Sequence, residues 1–238
     1  MRLDIYITQN YNIQSRNKAN ELIKAKKIKV NGDIITKASF KILSDDVKIE
    51  ILEDDFYVSR SAYKLKYFIE ELADKILIKD KIALDIGSST GGFTQILLEN
   101  NIKSVDCVDV GSDQLHENIK HDDRISMYEK TDVRIFDSLK IYDIVTCDVS
   151  FISIHNILND INRLASKDII ILFKPQYEVG AKVKRDRAGV VQDQKAIKTA
   201  RDKFILTTTY LKWKLVYSSQ SQVEGKNGNL EELFYFEK

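Results

Sequence analysis

Proline is almost missing from this sequence: Pro175 is the single one in 238 residues. Glycine occurs nine times and cysteine twice. That scarcity excludes a collagen-like or proline-rich low-complexity chain. Cys107 and Cys147 both lie in apolar runs, so they read as reduced core thiols and not as a disulfide framework. His116, His121 and His155 show no metal-ligand spacing with each other or with the cysteines. No structural or catalytic metal is therefore expected. No window reaches the roughly 18 apolar residues that a membrane span requires. The opening MRLDIYITQN lacks a basic region followed by an apolar run, so no signal peptide is expected. The expected location is therefore the cytoplasm, and the chain is expected to be a monomer in solution.

What is present is ordinary for a soluble globular protein: 43% hydrophobic and 31% charged residues. The net charge of +1 gives no sign of a nucleic-acid partner, but its distribution does. Residues 1–50 carry ten Lys/Arg against six Asp/Glu, and Arg16 to Lys29 carries six against Glu21 alone. A local basic face binds phosphates even on a neutral protein, although charge runs are more often only solvated faces. The acidic break at Glu53-Asp54-Asp55 separates two patterns. It sets expected boundaries of 1–52 for a first domain, 53–58 for a connector and 59–238 for a second domain.

In the first part, Ser15 is placed to cap a helix on which Ala19, Leu22 and Ile23 recur at helical spacing. Ile28 and Val30 alternate with lysines, Asn31-Gly32 predicts a tight turn, and Val47 to Leu52 a second short strand. The run SRNKANELIKAKKIKVNG, with Lys37 and Ser39 after it, resembles the S4 RNA-binding domain over roughly residues 1–50. S4 domains usually carry glycine after the second helix, where this chain has Lys26. A lysine there costs on the order of 1 kcal/mol in a left-handed conformation, so the helix is expected to end differently.

The second part alternates strand and helix. Strands are predicted at Lys81–Ile86, Val105–Val110, Tyr142–Cys147, Ile169–Phe173, Leu215–Ser219 and Leu233–Phe236. Helices are predicted from Phe93 to Leu98 and Gln194 to Leu211. The pattern predicts an α/β fold with a doubly wound, mostly parallel sheet, whose ligands bind at the carboxyl ends of the strands. The first strand runs into Gly87-Ser88-Ser89-Thr90-Gly91-Gly92-Phe93, a small-residue loop that opens a helix. It fails both the dinucleotide and P-loop patterns. Asp85 at the strand end suits a cationic ligand instead. Asp109, at the end of the next strand, stands where a ribose-binding carboxylate is expected. Asp132, after the third strand, could meet an adenine amino group or serve only as a turn residue.

Four further charges stand where charge is unusual. Lys64 borders the apolar face of a helix formed by Leu65, Phe68, Ile69 and Leu72, with Arg60 one turn before it. Asp148 and Lys174 each end an apolar strand, and Glu231 opens the last one. Singly, each reads as solvated. Together, Asp148 and Lys174 face the crevice that Asp85 faces.

The motifs GSSTGGF, CDVSFIS, FKPQYEVG and GNLEELF, in this order behind the S4-like part and SRSAYKL, resemble the TlyA family, whose catalytic half is similar to FtsJ-type 2′-O-methyltransferases. The resemblance spans nearly the whole chain. It implies S-adenosylmethionine as cofactor, ribosomal RNA as partner and a cytidine 2′-hydroxyl as the methylated group. It also implies a Lys-Asp-Lys-Glu tetrad at Lys64, Asp148, Lys174 and Glu231, with the adjacent Glu232 as a competitor for the last place. Lys174 is then the expected general base, its pKa lowered by burial and neighbouring cations. Gly87 to Phe93, with Asp85, Asp109 and Asp132, are the expected cofactor contacts. RNA contacts are expected at Arg2, Arg16, Lys18, Lys24, Lys27, Lys29 and Arg60, and at Lys182, Lys184, Arg185 and Arg187 in a basic flap. The chain stops after its last strand, which suits the shorter family type and 23S RNA alone. The connector near Asp55-Phe56 is expected to complete the cofactor pocket when RNA binds. A membrane-active haemolysin and a non-catalytic RNA-binding assembly factor are the alternatives. The lack of a long apolar segment opposes the first, and the complete tetrad opposes the second.

Overall fold

The computed structural model describes residues 1–238 except Asn12, Gln14, Asp45, Asp46, residues 53–56 and Lys226. The chain divides into two compact units, Met1–Phe56 and Tyr57–Lys238.

The first unit holds helices α1 (Leu3–Asn10) and α2 (Arg16–Lys24) and strands β1 (Ile28–Val30), β2 (Asp33–Ile34) and β3 (Ile49–Ile51). The strands form a small antiparallel sheet in the order β2-β1-β3. Ser15 caps α2 by accepting from the Lys18 amide. The loop joining β1 to β2 is Asn31-Gly32, both with positive φ, as a tight hairpin of right-handed twist requires. Leu3, Ile7, Ala19, Leu22, Ile23, Ile28 and Val30 make the core.

Lys26 corrects the expectation for the end of α2. It adopts φ +62. Its amide donates to the Ile23 carbonyl and the Lys27 amide to the Leu22 carbonyl. The helix thus ends as it would with glycine, because those two bonds satisfy carbonyls that would otherwise be orphaned.

The second unit contains α3 (Arg60–Leu72), β4 (Ile82–Ile86), α4 (Gly92–Glu99), β5 (Ser104–Val108), α5 (Glu117–Lys120) and β6 (Ile125–Tyr128). It continues with β7 (Tyr142–Cys147), α6 (Leu158–Leu164), β8 (Ala165–Phe173), α7 (Pro175–Glu178), α8 (Gln194–Tyr210), β9 (Lys214–Gln220) and β10 (Glu232–Glu237). One seven-stranded sheet runs β6-β5-β4-β7-β8-β10-β9. Strands β4 to β8 are parallel. The last hairpin is antiparallel: β10 lies between β8 and β9 and opposes both. The chain order reverses between β4 and β7, which puts the crevice of a doubly wound sheet beyond their carboxyl ends. Helices cover both faces. One core joins the sheet to α6 and α8 through Leu158, Ile161, Phe204 and Phe234. The other joins it to α3 and α4 through Leu65, Phe68, Phe93, Ile170 and Leu233.

Tyr57 and Val58, expected in the connector, are core residues of this unit. Both are buried, Tyr57 packs with Leu65 and Phe93, and the Val58 amide donates to the Gln95 side chain. The expected role of the connector near Asp55-Phe56 lies outside the described residues. No helix among the described residues is long and apolar enough to cross a membrane.

Candidate active site

Four chain segments bring the suspected tetrad together at the carboxyl edge of the parallel strands. Asp148 follows β7 and Lys174 follows β8, and their side chains form an ion pair at 2.6 Å. Lys64 lies on α3 and pairs with Glu231, just before β10, at 2.5 Å. All four are buried or nearly so and line one cavity of about 670 Å³. Glu232, the competitor, turns the other way, because successive residues of an extended chain alternate sides. Its carboxylate grips the Arg201 guanidinium at 2.7 Å.

The electrostatics correct one expectation. Burial pushes the Lys174 ammonium down, but the Asp148 and Glu231 charges outweigh it, so the pKa is raised and not lowered. Burial raises the Asp148 carboxyl. The two are held in contact as a largely buried ion pair.

Two residues outside the expected set complete this cluster. Ser150 Oγ accepts from Lys174 Nζ at 2.8 Å, and Gln176 Nε2 donates to Glu231 Oε1 at 2.9 Å. Both sit inside the motifs that carry the family resemblance. Phe151 was also missed. It is 90% exposed with φ +66, and lines both this cavity and the next. Nothing in an apolar residue after an apolar strand signals exposure.

The second cavity, about 490 Å³, adjoins the first; Gly87, Ser89, Asp148, Ser150 and Phe151 line both. That volume lies in the range of small-molecule sites. The walls combine Val108, Val133, Ile152 and Ile157 with the carboxylates of Asp109 and Asp132. An apolar slot edged by two acids fits a nucleoside, with a flat ring for the slot and donors for the acids. Gly87 has φ +76, and a Cβ there would stand 3.0 Å from the Asp148 carbonyl, so a side chain would be strained and would crowd the backbone beside the site. Asp109 accepts from the Ser89 amide at 2.8 Å and the Gly111 amide at 2.7 Å, which fixes the loop to the acid. Arg134 binds Asp132 and keeps its carboxyl below the usual range.

The expected cofactor residues therefore divide. Gly87, Ser89, Asp109 and Asp132 line the nucleoside-sized cavity. Ser88, Thr90 and Phe93 line the tetrad cavity instead. Asp85, Gly91 and Gly92 line neither. Asp85 is fully buried and accepts from Thr94 Oγ1 at 2.6 Å and Thr146 Oγ1 at 2.8 Å. Burial raises its pKa to about 6 despite those hydroxyls. Those hydroxyls tie the end of β4 to α4 and β7. A Cβ on Gly91 would run into Ile119 and Leu115, and one on Gly92 into the hydroxyls of Ser59 and Ser61, so neither position has room for a side chain.

The expected RNA contacts divide as well. Arg60 is exposed at the tetrad cavity. Lys182, Lys184 and Arg187 are exposed on their loop. Arg185 is not free: its guanidinium donates to the carbonyls of Gln176, Gly180 and Val183 and holds the loop in shape. In the first unit, Arg2 and Arg16 both grip the buried Asp4, at 2.9 Å and 2.8 Å. Lys24 and Lys27 are exposed, Lys18 and Lys29 partly so.

Comparison with known proteins agrees with both units. Residues 57–238 match the FtsJ-like methyltransferase family and residues 1–48 the S4 domain. The chain is 44% identical to the 23S rRNA (cytidine-2′-O)-methyltransferase TlyA of Campylobacter jejuni, covering all of both chains. It is 33% identical to the 16S/23S rRNA (cytidine-2′-O)-methyltransferase TlyA of Mycobacterium tuberculosis, over 97% of this chain and 87% of that one. A solved structure from Streptococcus thermophilus that carries a haemolysin name superposes with a TM-score of 0.74 at 27% identity, over 100% of this chain and 88% of the other. This chain belongs to the FtsJ-like methyltransferase family, as a TlyA-type member with an S4 domain ahead of the catalytic unit.

Proposed function

We propose that the protein transfers a methyl group from S-adenosylmethionine to the 2′-hydroxyl of a cytidine in 23S ribosomal RNA, acting in the cytoplasm. The observation that carries this reading is the convergence of Lys64, Asp148, Lys174 and Glu231 on one cavity that opens into a nucleoside-sized slot. The identity to the Campylobacter 23S enzyme over the full length of both chains supports the choice of RNA.

S-adenosylmethionine, when bound, supplies a methyl group already activated on a sulfonium, so the residues have only to bind, orient and move one proton. Asp109 and Asp132 would hold the ribose and adenine of the cofactor by accepting from their donors, and Val133 and Ile152 would supply apolar wall to the ring. Gly87 and Ser89 form the floor that both cavities share. Lys64, fixed by Glu231, donates to the acceptor ribose oxygen. The Lys174–Asp148 couple takes the proton: the ammonium passes one proton to Asp148, 2.6 Å away, and the amine accepts the hydroxyl proton. Burial favours the neutral form of Asp148, whereas the Asp148 and Glu231 charges keep Lys174 protonated until the relay begins. Holding oxygen and methyl in line supplies much of the remaining acceleration. Phe151 offers an exposed ring on which an unstacked base can lie, the usual way a single-stranded nucleotide is gripped.

Tritiated methyl transfer to separated ribosomal subunits tests the reading. Label is expected in the RNA of the large subunit and not of the small one. Lys174→Met is expected to abolish transfer while binding of S-adenosylmethionine survives. Transfer by Lys174→Met at the wild-type rate overturns the assignment of the proton relay, and label confined to the small subunit overturns the choice of RNA.

A further inference from the structure

The structure assigns a positioning role to Glu178, a residue outside the tetrad and outside both cavities. We infer that its carboxylate clamps the loop carrying Phe151 to the segment carrying Lys174, and so fixes the exposed ring over the site.

Glu178 is the last residue of α7, the short helix that begins directly after Lys174. Its Oε2 accepts from Ser153 Oγ at 2.7 Å, and its Oε1 accepts from the Ile154 amide at 2.8 Å. Both carboxylate oxygens are thus spent on the loop that leaves β7. The same two segments meet again at Lys174, which pairs with Asp148 and donates to Ser150. A third meeting is the tilted contact of Phe151 and Tyr177, with ring centroids 5.5 Å apart. Phe151 stands between the Lys174 anchor and the Glu178 anchor.

That placement matters because Phe151 is otherwise poorly held. It is exposed, and its φ of +66 is a conformation that a bulky L residue rarely adopts. Such a conformation persists only where the surroundings over-determine it. Within the loop, Ser153 Oγ also accepts from the His155 amide at 3.3 Å, so one serine joins the clamp to the turn Ile154–Asn156. A charged carboxylate receiving an amide and a hydroxyl is a stronger tie than a neutral acceptor. Removing it leaves the Phe151 backbone free to relax out of the left-handed region, and the ring with it.

The inference rests on the methyltransferase reading, and its test is a double-mutant cycle of methyl transfer to large ribosomal subunits. Glu178→Ala is expected to lower kcat/KM by on the order of 10- to 100-fold, mainly through KM for the RNA. Glu178→Gln keeps one acceptor oxygen and is expected to fall between Glu178→Ala and wild type. If the clamp acts through the ring, Glu178→Ala adds little once Phe151→Ala is present, because the ring it would misplace is already gone. A role in folding alone predicts additive losses, so additivity against an active wild type overturns the clamp. A wild-type protein that fails to methylate either subunit overturns the methyltransferase reading, and the clamp with it, and is recognised in the control. Hydrogen exchange gives a second readout without RNA: the Ile154 amide is expected to lose protection in Glu178→Ala and to keep it in Phe151→Ala. Unchanged protection in Glu178→Ala also overturns the clamp.

Discussion

Asp4 is fully buried in the first unit, where Arg2 and Arg16 grip both its oxygens. The hydrogen bond from Arg2 is the main cause that holds its pKa down to about 2. A depressed carboxyl stabilises the fold above its unfolded pKa, near 3.9, and that stability is lost as pH falls through the folded value. The contribution is roughly 2 kcal/mol at neutral pH and shrinks in salt, since both guanidiniums are half exposed. Asp4→Asn is therefore expected to lower stability to urea at pH 7 and to unfold like wild type near pH 2. An equal deficit at both pH values would show that shape and not charge makes the contribution. Lys26 carries the opposite lesson, since it occupies a left-handed position that costs lysine more than glycine. Lys26→Gly is expected to raise stability by about 0.5–1 kcal/mol in the same urea titration.

Between elements, the site depends on places where one segment can approach another only without a side chain. A Cβ on Gly225 would stand 2.6 Å from Glu231 Oε1. The carboxylate cannot yield freely, because Lys64 and Gln176 hold its two oxygens. Gly225→Ala is expected to lower kcat/KM by about 10- to 100-fold through displacement of Glu231. Its thermal midpoint should move by only a few degrees, because the contact lies outside the cores. Wild-type activity would mean that the exact seat of Glu231 is unimportant. The elements themselves were largely legible. Tyr142–Cys147 and the start of α8 at Gln194 were read off the sequence because apolar period and bounding polar residues coincide there. The antiparallel direction of β10 was not legible, because side-chain alternation is the same for either direction. The burial of Asp85 was hidden for a related reason: its partners Thr94 and Thr146 are near only after β4, α4 and β7 pack. Arg185 read as a phosphate contact because charge pattern cannot reveal that backbone carbonyls already take up a guanidinium. The tetrad was expected only through the resemblance to the TlyA family, since Lys64 and Glu231 are 167 residues apart and nothing in their local sequence pairs them.

At the scale of the whole molecule, a net charge of +1 says little about RNA binding, because the relevant cations are those left exposed and unpaired with acid. The count of basic residues in the first unit overstates its reach. Arg16 is committed to Asp4, whereas Lys24 and Lys27 are exposed at the end of α2 and just beyond it. Each phosphate contact contributes about 0.7–0.9 to the slope of log affinity against log salt. Replacing Lys24 and Lys27 together by alanine is therefore expected to reduce that slope by about 1–2 and to weaken RNA binding at low salt. Methyl transfer at saturating RNA should survive, since neither lysine lines a cavity of the catalytic unit. Arg16→Ala should behave differently, changing the slope less but lowering stability, because its loss leaves Asp4 with Arg2 alone. Salt titrations of RNA binding for the two variants side by side separate these outcomes. Equal slopes for Arg16→Ala and the double lysine variant would mean that Arg16 leaves Asp4 for a phosphate, and that the ion pair of the free protein is exchanged on binding.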